Sequence, residues 1–273
     1  MRGFRAPKIP IASTPEASDL PFASIRITSR NNKTLHAWFL PNKPDAACII
    51  IMHGWGGNAE LMLPVAEPFF AAGLNVLLPD ARGHGDSDSD TFSSMPRFAE
   101  DIEACIDWLY SEPERWNQTL ILLGHSVGAG AVLLVASRDP RVKAVISLSA
   151  FSHPDKMMQR YLGRFPAWLR RLIISQVQKT IGHKLDDIAP LNTIGKIRCP
   201  VLLAHGLADT TVPADEAREI AANATDNPPR LVLIEGADHD SVEIFHQHAD
   251  TLIDFLQEQR LIAGAARQTR QKR

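Results

Sequence analysis

The stretch Leu120-Ile121-Leu122-Leu123-Gly124-His125-Ser126-Val127-Gly128-Ala129-Gly130-Ala131 reads as a buried β-strand that turns sharply into a helix, with a serine at the bend. An elbow this tight strains its central residue, and side chains two positions to either side would collide, so glycine is required at Gly124 and Gly128. The bend lifts the Ser126 hydroxyl clear of the sheet, within reach of a base. It also sets the first amides of the following helix beside that hydroxyl as anion-binding donors. The apolar strand before the serine, and Leu133, Leu134 and Val135 after it, supply the context that a G-x-S-x-G pattern needs. Ser126 is therefore a candidate nucleophile.

Outward from the elbow, the chain alternates between strand and helix patterns. Phe22 to Thr28 and Leu35 to Leu40 flank a polar turn at 29–33 and read as an opening antiparallel hairpin. Six short apolar runs without alternation follow, as expected for strands buried on both faces: Cys48 to Met52, Val76 to Leu78, Thr119 to Leu123, Ala144 to Leu148, Val201 to Ala204 and Leu231 to Ile234. Helical patterns lie between them at Pro64 to Ala72, Phe98 to Tyr110, Val127 to Ser137, Asp215 to Ala222 and Val242 to Gln257. The pattern predicts an α/β fold with a mostly parallel, twisted, eight-stranded sheet, helices on both faces and functional residues at the strands' carboxyl ends.

A lone serine hydroxyl is a weak nucleophile at neutral pH, so the chemistry needs a base within hydrogen-bond reach and a third group to orient the base. The turn after Val201 to Gly206 places Asp209 just beyond a strand, and the loop Gly236-Ala237-Asp238-His239 does the same for His239. The order Ser126, Asp209, His239 is the one this architecture uses, and all three fall on one sheet edge. His125, at the elbow's variable position, is set aside as a base. His53 and His205 end buried strands and read as structural. Asp80, Arg82 and His84 occupy a glycine-rich turn and also read as structural. Asp238 and Asp240 adjoin His239 in sequence, yet Asp209 arrives from a separate strand and is the better orienter.

The chain resembles the α/β-hydrolase superfamily near its serine esterase, lipase and serine aminopeptidase-like branches. The resemblance covers roughly residues 22–257. It rests on His53-Gly54-Trp55-Gly56-Gly57, Asp80-Ala81-Arg82-Gly83-His84-Gly85-Asp86-Ser87, the elbow, Pro200 to Pro213, and Gly236 to His239. It implies an oxyanion hole built from the backbone N–H groups of Trp55 and Val127. It also implies a serine hydrolase acting on carboxylic esters of small or acyl-chain substrates through a Ser-His-Asp triad and an acyl-enzyme. Thioesterase, amidase or peptidase, carbon–carbon hydrolase and acyltransferase chemistry share these parts, and a non-catalytic ligand receptor on the same scaffold is the alternative from another class. Serine at the elbow, in place of aspartate, argues against haloalkane dehalogenase or epoxide hydrolase chemistry.

The domain reading is an N-terminal extension over 1–20, a hydrolase domain over 21–260 and a basic C-terminal tail over 261–273. A small helical cap over 151–195 is inserted between strands 6 and 7. In that cap Leu162, Phe165, Leu169, Leu172, Ile173, Val177 and Ile181 recur at helical spacing beside Arg160, Arg164, Arg170, Arg171 and Lys179, and Pro166 starts a second helix. The stripe fits a cap packed on the core, a lid against acyl chains, or a surface that meets an anionic membrane.

With 273 residues, 45% hydrophobic and 22% charged, the chain can bury one large core, and a formal charge of −2 gives no general attraction to nucleic acid. The partner implied is a small-molecule ester. Cys48, Cys105 and Cys199 lack metal-ligand spacing and read as free thiols. Neither a metal motif nor a nucleotide loop is present in the sequence, so no cofactor is expected. Prolines at 7, 10 and 15 break any apolar leader, and no apolar run approaches the roughly 18 residues that span a bilayer. The expectation is a cytoplasmic protein without stable membrane insertion.

Overall fold

The computed structural model describes residues 5–263. The opening hairpin pairs β1 (Ala23–Ser29) with β2 (Lys33–Leu40) through Arg30–Asn32. Next come β3 (Cys48–Met52), α1 (Leu63–Ala71), β4 (Asn75–Pro79), α2 (Met95–Ser111), β5 (Leu120–His125), α3 (Val127–Ala136) and β6 (Val142–Leu148). After the inserted segment come β7 (Val201–Gly206), α8 (Asp215–Ala222), β8 (Arg230–Ile234), α9 (Val242–Gln247) and α10 (Ala249–Glu258). The eight strands lie in the order β1-β2-β4-β3-β5-β6-β7-β8. The first two pairings are antiparallel and the rest parallel, which is the predicted architecture.

The apolar strands owe their lack of alternation to burial on both sides. In β3, Cys48, Ile50 and Met52 join one core with Phe98, Ile102 and Val132 of α2 and α3. Ile49 and Ile51 join the other with Phe69 of α1 and Leu252 and Phe255 of α10. Helix α3 is buried along its whole length, so its apolar residues run all the way round.

The insertion between β6 and β7 holds α4 (Pro154–Leu162), α5 (Ala167–Ile181), α6 (Leu185–Ile188) and α7 (Pro190–Thr193). Pro166 caps α5, as predicted. The single apolar stripe expected here divides in two. Val177 is buried, and Met157, Met158, Ile174 and Ile181 pack on the core, whereas Phe165 and Leu172 are exposed.

The last predicted helix is also in two pieces. At His248 the ladder gives way to the bonds His248 N–H to Phe245 O and Thr251 N–H to His248 O, which end α9 and start α10. Leu261 and Ile262, the start of the expected tail, pack against the core, and residues 264–273 lie outside the described residues.

Residues 5–12, within the expected N-terminal extension, run along the loops at the parallel strands' carboxyl edge. Lys8 Nζ donates to Ser87 O (2.9 Å), Asn58 Nδ2 to Ile9 O (3.3 Å), and Ala12 N–H to Glu60 Oε2 (2.8 Å).

Candidate active site

The elbow is as tight as its glycines require. A Cβ on Gly124 would stand 2.3 Å from Gly128 O, and one on Gly128 would stand 2.4 Å from His53 O, both far inside van der Waals contact. Ser126 takes φ 54° and ψ −116°, outside the regions an L-residue prefers. Two bonds hold it there: Ser126 N–H to Leu148 O (2.9 Å) and Gly130 N–H to Ser126 O (3.1 Å).

The loops after β7 and β8 meet over this serine. Leu207 N–H bonds Ile234 O and Ala208 N–H bonds Ala237 O, each at 2.9 Å, so the two loops travel as one unit. His239 then points Nε2 at Ser126 Oγ (2.9 Å) and Nδ1 at Asp209 Oδ2 (2.7 Å). Facing a carboxylate, Nδ1 carries the proton, which leaves the Nε2 lone pair directed at the serine hydroxyl.

Asp209 is buried and well supplied with donors. Thr211 N–H and Val212 N–H reach Oδ1 at 2.9 and 2.7 Å. Burial works against its charge, yet hydrogen bonds from His205, His239 and the Val212 amide outweigh that penalty. They hold the carboxyl well below the usual carboxylate range. Asp238 is turned elsewhere: its Oδ1 accepts from Ser241 Oγ and from Asp240 N–H. The structure thus brings together Ser126, Asp209 and His239 and leaves Asp238 out.

Trp55 comes from the turn after β3, and Val127 directly follows the serine at the start of α3. Gly57 N–H bonds Gly54 O (3.1 Å), and Gly56 at φ 75° completes a turn of the type that needs a left-handed third residue. Trp55 occupies the second position, so its N–H lies outside the turn's own bond. A Cβ on Gly54 would stand 3.3 Å from Ser126 Cβ, which shows how closely this turn abuts the elbow. Val127 is the first residue of α3, and its N–H has no helical carbonyl to bond. Trp55 is 42% exposed, and its ring meets His84 edge-on.

Two histidines set aside as bases touch this constellation. His205 is fully buried and directs Nε2 at both Val212 O (2.7 Å) and Asp209 Oδ2 (3.3 Å). His125 donates Nε2–H to His239 O (2.8 Å), tying the histidine loop to the elbow. Burial, reinforced by neighbouring His239, takes the His125 pKa down to about 4, so it stays neutral in ordinary buffers. His53 accepts Ala81 N–H on Nε2 (3.0 Å) and donates from Nδ1 to Gly54 O (2.7 Å), bracing the Trp55 turn. Asp80 accepts from Ala59 N–H, Asp86 N–H and His36 Nδ1, and so holds the glycine-rich turn. Among the described residues, no group of three or more His, Cys, Asp or Glu side chains is arranged to hold a metal ion.

Comparison with known proteins identifies the family. A family model described as "Serine aminopeptidase, S33" matches residues 43–191. The chain belongs to this α/β-hydrolase family. The matched span contains the elbow and the Trp55 turn but ends before Asp209 and His239, so the grouping of those two with Ser126 stands on the distances above. The hydrolase is 25% identical to the uncharacterized protein YfhR of Salmonella typhi, over 86% of this chain and 81% of that one. It is 36% identical to an uncharacterized 31.7 kDa Escherichia coli protein from the traX-finO intergenic region, over 63% and 76% of the two chains. Among solved structures, an esterase of Pyrococcus furiosus superposes with a TM-score of 0.76 at 24% identity, covering 94% of this chain and 97% of the other. A Butyrivibrio proteoclasticus protein solved with ferulic acid bound gives 0.69 at 24% identity, covering 86% and 99%. At these identities the solved structures speak for the shared fold.

Proposed function

We propose that this hydrolase cleaves carboxylic esters of small or acyl-chain substrates through an acyl-enzyme on Ser126. The observation that carries the reading is the continuous relay from Ser126 Oγ to His239 Nε2 and from His239 Nδ1 to Asp209 Oδ2, at 2.9 and 2.7 Å. Ser126 Oγ attacks the ester carbonyl carbon while its proton passes to His239 Nε2. The tetrahedral oxyanion is held by the N–H groups of Trp55 and Val127; losing one such donor typically costs roughly a hundred- to a thousandfold in turnover. Collapse breaks the carbon–oxygen bond, and the departing alcohol takes the proton from His239. Water then attacks the acyl carbon with His239 again as base. The proton returns to Ser126 as the carboxylic acid leaves. Asp209 remains ionised throughout and stabilises the imidazolium.

A fluorophosphonate probe tests the nucleophile. Wild-type protein is expected to be labelled at Ser126, and Ser126→Ala to lose both labelling and ester turnover while keeping its melting temperature. Retained turnover in the purified variant defeats the assignment.

The family's description favours peptide-bond cleavage as the second reading. Turnover of p-nitrophenyl esters of graded acyl length, against thioesters and aminoacyl amides, separates the two. The ester reading expects esters to be turned over fastest. Faster turnover of aminoacyl amides overturns it and leaves the nucleophile untouched.

A further inference from the structure

Between Asp155 and Asp186 the chain carries no acidic residue, yet it has seven basic ones: Lys156, Arg160, Arg164, Arg170, Arg171, Lys179 and Lys184. The whole protein is slightly acidic. Two of these cations anchor the cap from beneath, Lys156 to Glu219 and Arg160 to Glu216, both on α8. Among the described residues, Arg164, Arg170 and Arg171 form no ion pair. These three crowd the tip where α4 turns into α5, and every residue from Gly163 to Trp168 is exposed.

The same tip holds the densest group of exposed apolar side chains in the described chain: Tyr161 at 70%, Trp168 at 68%, Leu172 at 61% and Phe165 at 39% exposure. Trp168 and Leu172 are four residues apart, so they share a helix face with Arg171 beside them. The cap's inward face is already occupied, with Met157, Met158, Ile174, Val177 and Ile181 seated on the core. The tip residues are therefore surplus to the packing that holds the cap.

We propose that the α4–α5 tip is a docking surface for an anionic phospholipid bilayer. Each part of the tip suits that occupant. Tryptophan and tyrosine favour the headgroup level, where an amphipathic ring keeps one end apolar and the other wet. Leu172 and Phe165 reach the acyl boundary, and the arginines meet lipid phosphate. A second copy of this chain fits poorly, because a twofold contact through this face would set arginine against arginine. Nucleic acid would satisfy the arginines but gives an exposed leucine nothing to bury against. The contact is peripheral, since among the described residues no helix is long and apolar enough to cross a membrane. This inference does not rest on the proposed ester chemistry.

Co-sedimentation with vesicles provides the test, using phosphatidylcholine alone and with about 30 mol % phosphatidylglycerol. Wild-type protein is expected to pellet with the anionic vesicles only and to release as salt rises from about 0.05 to 0.5 M. The triple variant Arg164→Glu/Arg170→Glu/Arg171→Glu and the single variant Trp168→Ala should each weaken binding at least roughly tenfold. Unchanged melting temperatures would show both variants to be folded. Three outcomes overturn the proposal: no pelleting with anionic vesicles, equal binding to neutral ones, or binding that survives the triple charge reversal. Retention on heparin or DNA that is indifferent to Trp168→Ala, without vesicle binding, would reassign the surface to a polyanion.

Discussion

At φ 54° Ser126 stores backbone strain, typically about 1–3 kcal/mol, and the bonds to Leu148 O and from Gly130 N–H hold it in place. The proposed relay depends on a second restraint of this kind, the seating of Asp209. Replacing Asp209 with Asn leaves the backbone donors able to reach an oxygen but presents an amide that no longer fixes the His239 tautomer. We expect Asp209→Asn to lower kcat by up to roughly ten-thousandfold, while Asp238→Asn stays near wild type in the same ester assay. The opposite pattern would mean that the adjacent carboxylate is the orienter. Behind Asp209, His205 supplies a donor, a role that its place at the end of a buried strand does not announce. His205→Leu removes a charge-assisted bond of about 1.5–3 kcal/mol and should reduce kcat by roughly ten- to a hundredfold with little change in KM. His205→Gln, which retains a donor, should recover most of that loss. Equal melting-temperature losses in the two variants, with kcat unaffected, would reduce His205 to a packing residue.

Among the elements, the cap is held by a few polar contacts whose removal is measurable. Glu216 is buried and accepts from Ser152 N–H, Ser152 Oγ and the Arg160 guanidinium. Arg160→Ala leaves that carboxylate short of its cation. Because the arginine is about a third exposed, the cost should be about 1–2 kcal/mol, a fall in Tm of roughly 2–8 °C by calorimetry. Adding Glu216→Gln should cost less than the two single losses combined, as expected for groups in contact. The strands and main helices were legible in the sequence because burial on both faces writes continuous apolar runs, and because glycines 124 and 128 permit only one kind of turn. Ser126, Asp209 and His239 were legible because each follows a strand on the same edge. The contacts of His205 and His125 were not, since their partners come from turns or loops whose path no periodicity encodes. The division of the cap's apolar residues is not legible, because helical spacing reports apolar positions and not which of them pack, whereas Phe165 and Leu172 are exposed. The break at His248 carries no proline or glycine to announce it, and residues 5–12 bind through single side chains and carbonyls that leave no pattern.

Over the whole molecule, the carboxyl edge of the sheet is built on buried neutral histidines, and this fixes how the fold responds to acid. Burial lowers the pKa values of His53, His84 and His125, with His84 reaching about 3 and His125 about 4. The His53 brace works only in the neutral form, because its Nε2 accepts the Ala81 amide on a lone pair; for His84, packed against the rings of His53 and Phe98, and for His125 it is burial that disfavours the charge. For a base whose folded pKa is depressed, the unfolded chain binds the extra proton first. Stability is therefore complete above the unfolded value near 6.5 and is lost as pH falls towards the folded value. His125 alone contributes on the order of 3 kcal/mol to that loss by pH 4. Asp80 and Asp209 act in a lower window. Hydrogen bonds outweigh their burial and depress their pKa values, so their contribution persists until pH drops below the ordinary carboxylate range. With His84 and His125 together losing about 5 kcal/mol by pH 4.5, scanning calorimetry is expected to show Tm falling by roughly 10–20 °C between pH 6.5 and 4.5, before any carboxylate-driven collapse. His125→Gln keeps a donor for His239 O but cannot be protonated, so it should flatten part of this decline while lowering stability slightly at pH 7. A decline of equal slope in wild type and variant would mean that His125 is already solvated in the folded chain, and that the clasp between elbow and histidine loop opens before the protein unfolds.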